Sequence, residues 1–215
     1  AGLRPLVANS TDSKTTKLSR EHTVDRPVPG FVSIAGGKYT TYRIMGRDVI
    51  DLAVNDLRRI VAESVTDKLP AIGADGYFAL VQQSSQLSEL SGLSESTILH
   101  LLNRYGSLIS EILEIIESDK KLSQPISDDL PYLKAEVIYA VTHEGAQTVD
   151  DVISRRTRIA FEAIDGGESL ASGIASLMAP SLGWDAAAKR ASVSEFTKQL
   201  KNERASLAKL LAKVR

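Results

Sequence analysis

The stretch of this 215-residue chain that most limits its fold is Phe31 to Arg43, which reads FVSIAGGKYTTYR. Phe31 to Ala35 is a short apolar run with two β-branched residues, which is typical of a buried strand. Gly36 and Gly37 permit a sharp turn because glycine reaches positive φ without steric cost. A helical pattern begins at Tyr42. The sequence therefore predicts a unit of strand, glycine turn and helix.

The start of that helix is a candidate anion site. Thr40 and Thr41 are N-cap candidates, and the helical pattern continues to about Glu63. Its apolar positions form one stripe with three more residues beside it: Ile50, Val54, Leu57 and Val61, then Met45, Val49 and Leu52. Unpaired N–H groups, the positive end of the helix dipole and Lys38 in the turn all favour an anion or an electron-rich carbonyl. The alternative is a tight connection whose lysine is only solvated.

Composition excludes several classes of site. The chain has no cysteine, which rules out disulfides, thiolate metal sites and cysteine nucleophiles. No apolar run is long enough to span a bilayer, and the first ten residues are neither a signal peptide nor a transit peptide. Three scattered histidines predict no metal site. Up to Arg47 the chain carries eight Lys and Arg against three Asp and Glu, which favours an anionic ligand or an acidic protein surface nearby.

The segment before the glycine turn adds two arginines to the candidate anion site. Arg4 lies in a short apolar stretch, where an arginine either reaches water or meets an anion. Arg20 opens a weakly alternating stretch, residues 20–25, that predicts an edge strand, and two prolines predict a turn over 25–30. If Arg4, Arg20 and Lys38 converge, their mutual repulsion implies a phosphate or carboxylate ligand, which arginine binds through its planar fork.

Beyond a boundary rich in proline and glycine at 67–76, the pattern is helical almost throughout. The predicted fold is mainly α with a small β part, and the second part is an all-α bundle of about five or six helices. Ser94 caps one helix that Gly106 ends, and a capping box at Thr148 opens another that runs through Ala163. The other predicted helices cover 107–118, 131–145, 169–178 with a stop before Pro180, and 185 onward with the stripe Phe196, Leu200, Leu207 and Leu211.

Four stretches of the chain resemble one enzyme family. They are AGLRPL at 1–6, SREHTV at 19–24, SIAGGKYTTYR at 33–43 and AEVIYAVTHEGAQTVDDVISRRTR at 135–158. Together they are similar to the flavin-dependent glycerol-3-phosphate dehydrogenases and the related α-glycerophosphate oxidases. The resemblance implies that residues 1–66 are the last strands and helix of a flavin-binding core, and that residues 67–215 are an all-α cap domain.

The same resemblance implies a reaction and a set of site residues. The cofactor is FAD, and sn-glycerol 3-phosphate is oxidised to dihydroxyacetone phosphate, with electrons passing to a quinone or to oxygen. Arg4, Arg20 and Lys38 sit where the family binds its substrate, and Lys38 is the catalytic candidate beside the flavin ring. The segment similar to the family's flavin-facing helix start comprises Gly36, Gly37, Lys38, Tyr39, Thr40 and Thr41. There, N–H donors and an ammonium stabilise the negative charge that reduction places near the flavin N1.

One departure from the family limits what the chain is expected to do alone. The G-x-G-x-x-G fingerprint and the first βαβ unit of a dinucleotide-binding fold are absent. We interpret the chain as the C-terminal portion of a longer enzyme, which by itself retains no FAD and is inactive. Its expected partners are glycerol 3-phosphate and its own N-terminal flavin domain, not nucleic acid. The implied location is cytoplasmic; peripheral contact with the inner face of the plasma membrane and a homodimer are left open.

Two other classes of function stay as alternatives. The helical part is an interaction domain without catalysis, or residues 148–161 form the recognition helix of a helix-turn-helix module whose arginines reach phosphate. Stable association with the upstream segment favours the first, and tight, salt-sensitive binding to duplex DNA favours the second. The chain beyond Arg47 is acidic overall, which argues against nucleic-acid binding because phosphate contacts dominate it.

The histidines and several arginines have structural interpretations. His22 is expected to face solvent, His100 to be hydrogen-bonded at the edge of the core, and His143 to contact the C-terminal end of a helix dipole. Trp184 is expected to contribute packing. Three arginines, Arg155, Arg156 and Arg158, are expected to pair with Glu136, Glu144 or Asp151.

Overall fold

The computed structural model describes residues 21–57 and 60–214, apart from the side chains at 210, 211, 213 and 214. It is mainly helical with one two-stranded sheet, as predicted, and it divides into two compact units between Pro70 and Ala71. The elements are β1 (His22–Val28), β2 (Phe31–Gly36), α1 (Tyr42–Val54), α2 (Tyr77–Gln82), α3 (Ser84–Ser91), α4 (Glu95–Tyr105), α5 (Ile109–Ser118), α6 (Lys134–Thr142), α7 (Ile159–Glu162), α8 (Ala171–Leu182) and α9 (Ala186–Val214). The assignment of 1–66 to a flavin core and 67–215 to a cap stays a prediction.

The first unit is an antiparallel hairpin, β1 and β2, with α1 packed against it. His22 lies opposite Gly36, and Val24 lies opposite Ile34. The prediction of a buried strand at Phe31 is wrong, because none of the described residues of this unit is fully buried and Phe31 itself is exposed. A hairpin covered by one helix has too little apolar surface around it to enclose any side chain.

Three boundaries in this unit differ from the predictions. β1 continues to Val28 through Pro27, because the register shifts between Asp25 and Val28 and a proline fits an irregularity of this kind. α1 ends at Val54 and not near Glu63, since the next residues, Asn and Asp, favour turns over helix. The predicted stripe is also wrong in part: Ile50, Leu57 and Val61 are exposed, whereas the three residues beside them, Met45, Val49 and Leu52, are half-buried.

The second unit is built around α6. One core cluster contains Val137, Ala140 and Val141 of α6 together with α8 and α9, and the other contains Ala135 and Tyr139 together with α4 and α5. A helix that is buried on both faces carries no polar stripe, as is usual for the centre of a helical domain. Trp184 packs against the first cluster, as expected.

The ends of α4 confirm two sequence signals. The Ser94 hydroxyl accepts the Thr97 N–H at 3.1 Å, and Gly106 ends the helix with φ +57°. Gly106 has a second constraint, because a Cβ there would lie 1.9 Å from the Gly73 carbonyl oxygen. The N–H of Ser107 donates to that same oxygen at 2.9 Å, so the backbones of the two segments are in direct contact.

The helix predicted from Thr148 through Ala163 is interrupted. The capping box forms, with the Asp151 carboxylate accepting the Thr148 N–H at 2.9 Å. The next turn is a π-helix over 151–156, and Thr157 is extended. The Thr157 hydroxyl and N–H both donate to the Val152 carbonyl, at 2.7 and 2.9 Å, which closes the five-residue π turn and ends the helix. Tertiary hydrogen bonds therefore override the helical pattern here.

The last two helices also depart from the predictions. α8 continues through Pro180 to Leu182, because the buried Met178 and Ala179 keep its C-terminal turns packed against the core. Two short helices, α2 and α3, precede the first predicted one. On α9, Phe196 is buried and Leu200 packs against the core, but Leu207 is 58% exposed. The Leu211 side chain is outside the described residues. None of the helices in 21–57 and 60–214 has the length and hydropathy required to cross a bilayer.

A buried carboxylate, Glu136 of α6, joins the start of its own helix to α4. It accepts hydrogen bonds from the Leu133 N–H at 2.7 Å, His100 Nε2 at 3.1 Å and the Tyr105 hydroxyl at 3.0 Å. Its Oε1 also lies 3.2 Å from Nε of Arg104. His100 is therefore a hydrogen-bonded residue at the core edge, as predicted. A buried charge is tolerated only when it is paired and hydrogen-bonded, and Glu136 meets both conditions.

Arg104, the cationic partner of Glu136, is itself tightly enclosed. Its guanidinium lies 5.0 Å from the centroid of the Tyr132 ring and 5.5 Å from that of Tyr105. Its Nη2 donates to the backbone carbonyl of Arg156, the last residue of the π turn. The pKa of Tyr105 is raised well above its ordinary value by burial and by the adjacent Glu136 carboxylate, so its hydroxyl stays a donor. The network therefore links α4, α6 and the π turn.

We predict that Glu136→Ala destabilises the protein by about 3–5 kcal/mol, because it leaves the Arg104 cation and three donors without their acceptor. The free energy of unfolding would be measured by urea denaturation followed by circular dichroism. Glu114→Ala, at an exposed position on α5, is the matched control and should change it by less than about 0.5 kcal/mol. Equal urea midpoints for the two variants would contradict the assigned role of Glu136.

We also predict a pH-dependent effect of Glu144→Gln. Burial raises the pKa of the Glu144 carboxyl, although Arg156 and Arg104 lower it in part. The folded protein therefore holds this proton more tightly than the unfolded chain, and wild-type stability falls as pH rises above the ordinary glutamate value of about 4.3. Glutamine removes that loss, so the variant should gain stability relative to wild type as the pH rises above the ordinary glutamate value of about 4.3. A pH-independent difference between their urea midpoints would contradict this.

Candidate functional site

The glycine turn predicted from the sequence is present between β2 and α1. Gly36 and Gly37 both have φ +80°, which a residue with a side chain rarely adopts. A Cβ at Gly37 would also lie 2.4 Å from the sulfur of Met45 and 3.3 Å from Cβ of His22. Glycine is therefore favoured at 37 mainly by its backbone angle, while a side chain there would also displace the flexible end of Met45. The Gly37 N–H donates to the Glu21 carbonyl at 3.3 Å, which keeps the turn joined to β1.

The residues after the glycines form a 3₁₀ turn, Tyr39–Thr41, that leads directly into α1. The Thr41 hydroxyl accepts the Lys38 N–H at 3.1 Å and donates to the Lys38 carbonyl at 2.9 Å. Thr41 stands at the N-cap of α1, as predicted, but its hydroxyl bonds backward to Lys38 and caps no N–H of that helix. This closed ring fixes the backbone on which Lys38 is carried.

The surface of this turn combines a cation, unpaired donors and aromatic rings. Lys38 and Thr40 are exposed, and Tyr39 is 90% exposed. In the part of the chain that the structure describes, the N–H groups of Tyr39 and Thr40 donate to no acceptor. The positive end of a helix dipole and two free donors next to an ammonium are suited to a negatively charged or electron-rich group. The residues present therefore fit the electron-rich edge of a flavin or an anionic substrate.

A hydrogen-bonded chain of three side chains lies behind the turn. His22 Nε2 is 2.8 Å from Oδ2 of Asp48 on α1, and Arg47 donates to the other oxygen, Oδ1, through Nε at 2.9 Å and Nη2 at 2.8 Å. The Arg47 and His22 hydrogen bonds lower the pKa of the Asp48 carboxyl, so it stays ionised. The prediction that His22 faces solvent is wrong, because its ring points to α1 and is only 19% exposed.

A second aspartate of the same helix segment holds the opposite end of the hairpin. Asp56 accepts the Gly30 N–H at 2.9 Å and forms an ion pair with Arg26. Asp48 and Asp56 thus each join the hairpin to α1 and its C-terminal extension, one beside the glycine turn and one beside the β1–β2 turn. The two aspartates therefore make comparable links, and only that of Asp48 lies beside the glycine turn.

The structure brings six of the predicted site residues together and leaves two untested. Gly36, Gly37, Lys38, Tyr39, Thr40 and Thr41 form the turn described above. Arg4 and Arg20 are outside the described residues, so their convergence with Lys38 stays a prediction. Sequence reasoning missed the link between His22 and Asp48. The signal was available in the alternation of β1, where His22 and Val24 occupy the same face, opposite Gly36 and Ile34.

The candidate residues of the second unit have structural roles. Arg155 pairs with Asp150 and with Asp151 at 3.0 Å, and Nε of Arg156 donates to the Glu144 carbonyl at 2.9 Å. The expected pairing with Asp151 is confirmed; Arg156 bonds the backbone of Glu144, not its carboxylate. Arg158 lies 3.8 Å from Glu162, which was not among the expected partners.

The π turn and the extended Thr157 also break the segment 148–161, so it is not the single recognition helix that a helix-turn-helix module requires. His143, at the end of α6 as predicted, stacks on the Tyr139 ring with centroids 4.4 Å apart. Among the described residues, no group of His, Asp and Glu is arranged to hold a metal ion.

Comparison with known proteins identifies the region that contains the helical unit. Residues 64–189 match the family model described as the C-terminal domain of alpha-glycerophosphate oxidase. Glycerol-3-phosphate dehydrogenase 2 of Mycobacterium tuberculosis H37Rv is 50% identical over 187 residues, which are 87% of this chain and 32% of that protein. The mitochondrial glycerol-3-phosphate dehydrogenase of Mesocricetus auratus is 34% identical over 219 residues, covering 96% of this chain and 28% of that protein.

A solved structure has the same fold. The glycerol-3-phosphate dehydrogenase of Bacillus halodurans, complexed with FAD, matches with a TM-score of 0.64 at 21% identity, over 79% of this chain and 35% of that one. The chain thus spans about a third of the length of the proteins it matches. Because the family model covers more than half of it, this chain belongs to the family of alpha-glycerophosphate oxidase C-terminal domains.

Proposed function

We propose that this chain is the C-terminal portion of an FAD-dependent dehydrogenase that oxidises sn-glycerol 3-phosphate to dihydroxyacetone phosphate. The observation that carries the proposal is the turn at 36–41, where an exposed lysine, two N–H groups that donate to no acceptor among the described residues and the start of a helix lie within six residues of one another. The names of the matched proteins support it, since they are glycerol-3-phosphate dehydrogenases. Because the chain covers about a third of their length, it is expected to be inactive alone.

In this proposal FAD, when bound, supplies the two-electron acceptor, and the residues of this chain position it and balance its charge. The N–H groups of Tyr39 and Thr40 donate to the electron-rich edge of the ring system. Lys38 acts as a point charge beside that edge and beside the substrate, where it stabilises negative charge as it develops. The two hydrogen bonds between the Thr41 hydroxyl and the Lys38 backbone hold this geometry before the substrate arrives, so binding requires little reorganisation of the turn.

The first unit is proposed to complete its core against the remaining two thirds of the enzyme. Its large apolar side chains are left uncovered within the described residues: Val28, Phe31, Tyr42 and Ile50 are each more than half exposed. Such a concentration of apolar surface on one small unit is typical of an interface. The N-terminal flavin domain is the proposed occupant, and it would cover this surface.

The electron acceptor is proposed to be a quinone or oxygen. Production of hydrogen peroxide during turnover would identify oxygen, and reduction of a soluble quinone without peroxide would identify a quinone. The proposed location is cytoplasmic. Peripheral contact with the inner face of the plasma membrane and a homodimer stay predictions.

We predict that Lys38→Ala lowers kcat/KM by about 100- to 1,000-fold, the loss typical of removing one electrostatic donor from an active site. The chain would be co-expressed with an upstream segment that corresponds to the remaining two thirds of its relatives. The measurements are the visible flavin spectrum and dye reduction that depends on glycerol 3-phosphate. Lys68→Ala, at an exposed lysine of the same unit, is the matched control and should behave as wild type.

Two outcomes of this experiment bear on the whole proposal. A yellow, active complex that Lys38→Ala impairs supports it. A folded but colourless complex without activity would refute the dehydrogenase and leave the helical unit as an interaction domain. Equal losses in Lys38→Ala and Lys68→Ala would remove Lys38 from the site.

We predict a different result for the two arginines, which are expected to bind the substrate phosphate. Arg4→Ala and Arg20→Ala should each raise KM for glycerol 3-phosphate by about 10- to 100-fold, the value of one hydrogen bond to a charged group. The flavin spectrum should not change, because neither residue is expected to contact the ring. Arg26→Ala serves as the control, since Arg26 pairs with Asp56 at the far end of the hairpin. A changed spectrum with an unchanged KM would contradict the assignment.

A further inference from the structure

We infer that His22 is a positioning residue: held by Asp48 of α1, it fixes the glycine turn, and with it Lys38, in the geometry that the cofactor and substrate require. The inference rests on the proposed function for its catalytic consequence. Its structural content, that His22 determines the position of the turn, can be tested without it.

His22 occupies a position in the hairpin next to both glycines of the turn. His22 lies directly opposite Gly36, so both residues belong to the same face of the two strands. Its Cβ would be 3.3 Å from a Cβ at Gly37, so His22 and Met45 supply the atoms nearest to that glycine. The carbonyl of the preceding residue, Glu21, accepts the Gly37 N–H at 3.3 Å. A movement of His22 therefore moves both glycines.

The imidazole of His22 is held in place by Asp48. Nε2 is 2.8 Å from Oδ2 of Asp48, while Oδ1 of the same carboxylate accepts two hydrogen bonds from Arg47, at 2.9 and 2.8 Å. Both oxygens of Asp48 are thus occupied, and the carboxylate cannot rotate without losing a charge-assisted bond. The imidazole is therefore oriented by a fixed acceptor, in the way that an outer hydrogen-bond partner commonly orients a residue next to a binding site.

The link between His22 and Asp48 acts between the hairpin and α1. It crosses from β1 to the first turns of α1, and the glycine turn is the only covalent path between β2 and that helix. Gly36 and Gly37 have positive φ and little intrinsic preference for one turn geometry, so the turn needs an external constraint. The hydrogen bonds of the Thr41 hydroxyl to the Lys38 backbone fix Lys38 relative to α1. His22 supplies the other constraint, between the strands and α1.

A pair of substitutions isolates this role. His22→Leu keeps the bulk of the side chain and removes the donor. His22→Gln keeps an N–H₂ group near the position of Nε2 and can still donate to Asp48. In the complex with the upstream segment, His22→Leu should raise KM for glycerol 3-phosphate and the dissociation constant for FAD by about 10- to 100-fold each, the loss expected for a small misplacement of reacting groups. His22→Gln should restore both to within about threefold of wild type, since the bond is retained.

Asp56→Asn is the matched control, because Asp56 joins the same hairpin to the same helix segment at the opposite end. It should lower the melting temperature about as much as His22→Leu, since each loses one charge-assisted link, but leave KM and the visible flavin spectrum unchanged. If His22→Leu fails to form the complex, Asp48→Asn is the substitute, and it should raise the same two constants. A His22→Gln variant as impaired as His22→Leu would overturn the inference, and so would equal changes of KM in Asp56→Asn.

A measurement on the 215-residue chain separates this inference from the proposed function. Hydrogen exchange at the Gly37 amide should be about tenfold faster in His22→Leu than in wild type or Asp56→Asn, because the local opening that exposes it becomes easier. This readout involves no FAD. An inactive, colourless complex with faster Gly37 exchange would refute the dehydrogenase and keep the positioning role. Unchanged exchange in His22→Leu would refute the positioning role even in an active enzyme.

Discussion

The helical unit depends on one buried carboxylate. Glu136 lies in the first turn of α6, the helix that both core clusters share, and it is hydrogen-bonded by the backbone N–H of Leu133 just before that helix and by two side chains of α4. Its ion pair with Arg104 extends the connection to the backbone at the end of the π turn. Apolar contacts alone specify approximate positions, whereas the hydrogen bonds of a buried polar network also depend on direction and so restrict how the helices around it are arranged.

The first unit is held together differently. It has no enclosed core among its described residues, and two carboxylates, Asp48 and Asp56, tie the hairpin to α1 at opposite ends. Such exposed and half-exposed links each contribute little free energy. They determine orientation more than stability. This division of roles is consistent with a unit whose apolar surface is completed by a partner and whose own interactions position one short turn.

The sequence predicted the parts of this fold that depend on local chemistry. Ser94, Gly106 and the Thr148 capping box are confirmed because each acts within one turn of the chain, and the glycine turn is confirmed for the same reason. The errors arose where contacts between residues distant in the sequence determine where a helix ends or continues. Nothing in the helical pattern reveals that Thr157 bonds to Val152 and ends the helix, or that packing carries α8 through Pro180. For the site, the sequence identified the residues on the turn but not the pair behind it, since His22 and Asp48 are 26 positions apart.

The contact between Gly73 and Gly106 has a consequence for reading variation among related proteins. A Cβ at either position would overlap the backbone of the other segment, so neither tolerates a side chain whatever the protein binds. In an aligned set of relatives, both would be invariant for steric reasons alone, and their invariance would match that of Gly37, which borders the proposed site. Frequency of substitution therefore cannot separate the two kinds of glycine in this family. Only the surroundings of each one, closed backbone in the first case and a lysine with free donors in the second, distinguish architecture from chemistry.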